Sequence, residues 1–155
     1  MLKLTKKEKD ILREAEGIYA RLASAESGAI LNSPELSANI FKARLVGEER
    51  EHFEVAFLDQ QHQLIATERL FSGTVNQASV HPREIAKRCL ELNASAIILS
   101  HNHPSGNVTP SQSDLSITKQ IKDALKMFEV RVLDHIIIGA SGRWHSLVQN
   151  GQMNG

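Results

Sequence analysis

The chain has 155 residues, 18 Lys and Arg against 18 Asp and Glu, and 41% hydrophobic residues. This is the size and composition of one soluble domain. Zero net charge speaks against a protein whose main partner is a nucleic-acid backbone, which needs a basic excess or stripe. No apolar run is long enough to span a bilayer, and a single cysteine, Cys89, excludes an internal disulfide framework or a CxxC metal site. The first residues, MLKLTKKEKD, lack the apolar stretch of a signal peptide, so a cytoplasmic protein is expected.

The spacing of Ile11, Ala15, Ile18, Tyr19 and Leu22 predicts an amphipathic helix over 5–24, opened by a Thr5/Glu8 capping box. A connection around Gly28 leads to Ser33-Pro34, a cap and first-turn proline that start a second helix with Leu36, Ile40 and Phe41 on its apolar stripe. After the charged break Gly47-Glu48-Glu49-Arg50, alternation predicts a strand over 52–58, a turn at 59–62 and a return strand over 64–71. A helix over 82–93 carries Ile85, Cys89 and Leu92, and 94–99 reads as a buried central strand. The last elements are a helix over 110–128, a strand over 130–138 interrupted by Asp134-His135, and a short strand at 144–148. The order predicts an α/β fold: a mixed β-sheet flanked by helices. Residues 1–46 read as an N-terminal helical appendage, 47–150 as the domain and 151–155 as a frayed tail.

The chemistry lies where the central strand ends, in SHNHPSGNVTPSQSD (100–114). His101 and His103 are two apart, so an extended backbone projects both imidazoles from one face. Pro104 to Asn107 then turns the chain, and Thr109-Pro110-Ser111-Gln112 reads as a helix start, with Thr109 as cap and Gln112 closing the box. Ser111 and Asp114 share one face of that helix, and the turn can fold it back toward the histidines. Two imidazoles and a carboxylate make a three-ligand set that leaves a fourth position for water, the arrangement of a catalytic zinc site. Read alone, Ser111 and Asp114 are equally an ordinary capping box, and HNHPSG a strand-ending turn.

The pattern His101-x-His103-x7-Ser111-x2-Asp114 resembles the JAMM motif of MPN-domain metalloproteases at every fixed position. HNHPSG, the PSxxD after it, FSGT (71–74), HPRE (81–84) and LDHIIIG (133–139) resemble the RadC family more narrowly, over about residues 48–148. The resemblance is to a short form. Longer RadC proteins carry an N-terminal helix-hairpin-helix DNA-binding segment, for which residues 1–45 offer no matching glycine-containing hairpin. It implies the MPN sandwich, one Zn²⁺ held by His101, His103 and Asp114, and an upstream glutamate beside the metal. Of Glu48, Glu49, Glu51 and Glu54, Glu51 matches the family position best. It also shares parity with Phe53, Val55 and Phe57, whereas Glu54 has the opposite parity and is expected in solvent.

These groups imply hydrolysis of a peptide or isopeptide-like amide in a protein or peptide substrate. Glu51 would be the general base and Ser111 the oxyanion stabiliser. Asp134 and His135 are candidates to orient a ligand histidine, or a buried structural pair. Iron, cobalt or manganese suits the same ligands. Rival zinc chemistries fail on the residues: HExxH is absent, one cysteine forbids the PCxxC of zinc deaminases, and 155 residues cannot build an amidohydrolase barrel. A metal-binding scaffold without catalysis and a DNA-repair role carried by the family name are the alternatives.

Overall fold

A computed structural model describes residues 3–25 and 31–153. Among the described residues, four helices, α1 (Lys6–Ala25), α2 (Pro34–Leu45), α3 (Pro82–Leu92) and α4 (Gln112–Lys126), accompany five strands: β1 (His52–Leu58), β2 (Leu64–Ser72), β3 (Ala96–His103), β4 (Arg131–Gly139) and β5 (Trp144–Ser146). The strands form one mixed sheet in the order β2-β1-β3-β4-β5, with only β3 and β4 parallel. That parallel pair requires a crossover, and α4 supplies it. The α/β class and flanked mixed sheet read from the sequence are those observed, consistent with the MPN sandwich that the resemblance implies.

Period-2 alternation divides the sheet into two buried faces. Phe53, Val55 and Phe57 of β1 with Ile97 and Leu99 of β3 meet Ile85 and Cys89 of α3 and Ile117, Ile121 and Leu125 of α4. On the other face Ala56, Leu58, Ile98, Ile136 and Ile138 meet Ala38, Ile40, Phe41 and Leu45 of α2. Helix α2 is therefore one whole layer of the sandwich, and the expected boundary at 46/47 cuts through the core. Its start is as predicted: Ser33 Oγ accepts from Leu36 N at 3.2 Å, with Pro34 in the first turn.

Three further expectations are corrected. In α1 the Thr5/Glu8 box forms, with Thr5 N donating to Glu8 Oε2 at 2.7 Å and Glu8 N to Thr5 Oγ1 at 3.2 Å. Yet Ile11 and Ile18 are exposed, and the half-buried side is Leu12, Ala15 and Glu16. Glu16 draws that side inward by pairing with Arg44 of α2 at 2.7 Å. The side chains of Tyr19 and Leu22, and the connection at Gly28, lie outside the described residues. The tail is docked through residue 153: Gln152 N donates to Leu147 O at 2.8 Å, and Met153 packs on the core. Finally, β4 runs through Asp134-His135 without interruption. A bulge there, between the pairs Ile97–Val132 and Ile98–Asp134, puts Leu133 and Asp134 together on the α2 face. His135 is thereby returned to the face of Val132. No helix among the described residues is long and apolar enough to cross a membrane.

Candidate metal centre

The last four positions of β3 are polar and alternate across the sheet. Ser100 and Asn102 face α2, and Ser100 Oγ donates to Ile136 O at 2.7 Å. His101 and His103 face α4. The following turn closes with Gly106 N donating to His103 O at 3.0 Å. Helix α4 then starts two residues later than expected: Ser111, not Thr109, is its cap, and Asp114, not Gln112, closes the box. Ser111 Oγ accepts from Asp114 N at 3.0 Å, and Asp114 Oδ2 accepts from Ser111 N at 2.8 Å. A carboxylate three residues into the helix satisfies a free N–H and sits well in the helix dipole, so it wins over the neutral Gln112.

This box aims Asp114 at the histidines. Its Oδ1 lies 3.2 Å from His101 Nε2 and its Oδ2 3.1 Å from His103 Nε2, and the two Nε2 atoms stand 2.9 Å apart. Donor atoms of the three residues all lie within 4.8 Å of one another. His101 is fully buried, its ring stacked at 14° on Phe53 with 6.5 Å between centroids. On its far side His101 Nδ1 is 2.7 Å from Nε2 of the equally buried His135.

The electrostatics call for a cation. His103 Nδ1 lies 2.8 Å from Asn107 O. A carbonyl only accepts, so this nitrogen carries the hydrogen, and neutral His103 turns a lone pair from Nε2 toward Asp114. Burial pulls the His103 pKa down, but bonding to Asp114 and Asn107 and the charges of Asp114 and Glu51 more than reverse this, so it is raised. Burial likewise works against the Asp114 carboxylate. The His101 and His103 bonds and the Ser111 N–H overcome it and hold the group well below the ordinary carboxylate range. Two ring nitrogens and a carboxylate at these distances repel unless a proton or metal ion lies among them. The borderline nitrogen–oxygen donor set fits zinc.

Glu51 precedes β1 on the face that its parity predicts. Its Oε2 accepts from Val75 N at 3.1 Å, its carbonyl accepts from Gly73 N at 2.9 Å, and its charge acts on His103. Asn102, a residue sequence reasoning missed, pins the chain on both sides of it. Asn102 Oδ1 accepts from His52 N at 2.7 Å and Nδ2 donates to Arg50 O at 2.9 Å. The available signal was an amide between two candidate ligand histidines, on the opposite face of a buried strand. Glu54, expected in solvent, is fully buried on the α2 face, where Oε1 accepts from Arg44 Nε and Oε2 from Arg69 Nε at 2.9 Å.

Of the pair Asp134-His135, only His135 touches one of the three clustered side chains, His101. Asp134 is turned to the α2 face by the bulge and accepts from His135 N at 2.7 Å, Ser146 Oγ at 2.5 Å and Val148 N at 3.1 Å, tying β4 to β5 and the following turn. Gly139 ends β4 where the 104–109 turn crosses it. A Cβ there would lie 2.8 Å from Gly106 O and 2.9 Å from Val108 Cγ1. Gly139→Ala must push this turn, and Asn107 O with it, away from His103. The expected result is a stability loss of about 1–3 kcal/mol in urea unfolding together with weaker metal retention; an unchanged variant would mean that the turn shifts freely.

The family model described as the RadC-like JAB domain matches residues 31–152. The chain belongs to this family. The match begins before α2, which agrees with that helix being a layer of the JAB core. A UPF0758 protein of Photobacterium profundum is 54% identical over 114 residues, covering 74% of this chain and 51% of the relative. UPF0758 proteins of Alcanivorax borkumensis and Haemophilus ducreyi are 49% and 55% identical over 126 and 109 residues, covering 81% and 70% of this chain. They are covered over 56% and 49% of their own length, so this JAB domain chain spans about half the length of the curated relatives it matches.

Proposed function

We propose that this JAB domain is a zinc-dependent hydrolase of a peptide or isopeptide-like amide bond in a protein substrate. The reading is carried by one observation: two imidazole nitrogens and a carboxylate converge within 4.8 Å, with Glu51 close enough for its charge to act on His103. A zinc ion held by His101, His103 and Asp114 would lower the pKa of water toward ~7 and polarise the scissile carbonyl. Glu51 takes the proton of the attacking water and delivers it to the leaving amine. Ser111 is exposed and its oxygen already accepts from Asp114 N; its hydroxyl hydrogen has no acceptor among the described residues. That hydrogen can stabilise the oxyanion as the carbonyl is attacked, a contribution whose removal typically costs ~100- to 1000-fold in rate.

The test is metal content by inductively coupled plasma mass spectrometry, followed by a screen of peptide and isopeptide substrates. One zinc per chain in the wild type, lost in His103→Ala, is the expected result. A wild type that retains no metal after zinc is offered and the excess removed would instead make the domain a scaffold.

A further inference from the structure

We infer that Thr118, acting through His135, fixes the tautomer in which His101 offers Nε2 to a metal ion. The inference rests on the metal reading above and assigns two positioning residues outside the ligand set. Thr118 Oγ1 lies 2.7 Å from Asp114 O and 2.6 Å from His135 Nδ1. Two oxygens at 2.7 Å need a hydrogen between them, and only the hydroxyl has one to give. Thr118 therefore donates to the Asp114 carbonyl, and its oxygen is left to accept.

The direction propagates from there. His135 Nδ1 must carry a hydrogen and donate it to Thr118. His135 is fully buried, and its two ring nitrogens meet a hydroxyl and an imidazole with no carboxylate between, so nothing there pairs with an imidazolium and the ring is neutral. A neutral ring protonated at Nδ1 has a bare Nε2, which accepts from His101 Nδ1 at 2.7 Å. His101 then has its own hydrogen on Nδ1 and a lone pair on Nε2, directed at Asp114 Oδ1 at 3.2 Å. The reverse circuit, with every hydrogen turned the other way, would place an N–H in the ion's position and two lone pairs between Thr118 and Asp114. Asp114 thus supplies both ends of the loop: its carbonyl sets the direction, and its carboxylate faces the result.

The test compares Thr118→Val, which keeps the shape and removes the hydroxyl, with Thr118→Ser, which restores it. Zinc affinity is read by competition with a chromophoric chelator, and ring protonation by long-range ¹H–¹⁵N NMR of the wild type. Loss of such an outer partner typically weakens metal binding ~10- to 100-fold. We expect that loss in Thr118→Val, wild-type affinity in Thr118→Ser, and Nδ1-protonated His135 and zinc-loaded His101 in the wild type. Equal zinc affinity in Thr118→Val and wild type, equal weakness in both variants, or Nε2-protonated His135 in the wild type would overturn this inference and leave the proposed function standing. A wild type that binds no zinc would overturn both. The NMR measurement needs no variant, so it decides even if Thr118→Val fails to fold.

Discussion

Glu51→Gln will keep its zinc and turn over substrate ~100- to 10,000-fold more slowly than the wild type. Glutamine has nearly the same shape, and its amide oxygen can still accept from Val75 N, the bond that Glu51 Oε2 makes at 3.1 Å. The backbone around it is held by Asn102 and Gly73 through main-chain atoms, which the substitution leaves alone. What disappears is the capacity to take a proton. Zinc content and kcat on the same preparation separate the outcomes. Unchanged kcat removes Glu51 from the reaction, and lost zinc makes it a ligand.

Arg44→Met will destabilise the fold by about 3 kcal/mol, and Glu54→Leu by less. The asymmetry follows from which charge can reach water. Glu54 has no exposed surface, whereas the Arg44 and Arg69 side chains are 20% and 35% exposed. Removing Arg44 strands a buried carboxylate with one partner and also cuts the 2.7 Å tie from Glu16 that holds α1 to α2. Removing Glu54 frees two guanidinium groups that can hydrate, and leucine takes up much of the volume of the lost side chain. Urea unfolding of both variants measures the difference. The opposite ranking would mean that the two arginines, rather than the carboxylate, bear the cost of burial.

The contrast between Glu51 and Glu54 marks what was legible in the chain. His101, His103 and Asp114 converge because strand and helix periods are local, and two short patterns joined by one turn carry enough geometry to bring them together. The side of the sheet on which Glu51 lies followed from the same parity. Parity also told correctly that Glu54 faces the other way, but not what covers that face. Its burial depends on Arg44 and Arg69, brought in from α2 and β2. The place of α2 in the core was hidden for the same reason: six of its twelve residues are buried against strands far along the chain. The bulge in β4 was invisible because Leu133 and Asp134 break alternation without any glycine or proline to announce it. Thr118 carried no signal at all, being an ordinary hydroxyl on a helix until α4 packs against β4.

The bulge also decides which of two adjacent polar residues addresses His101. Without its extra residue, the faces of Asp134 and His135 would exchange, and a carboxylate would stand behind His101. That would put a third negative charge beside those of Asp114 and Glu51. With His135 there, the negative charge beside the cluster stays at the two carboxylates of Asp114 and Glu51, which one divalent ion would balance.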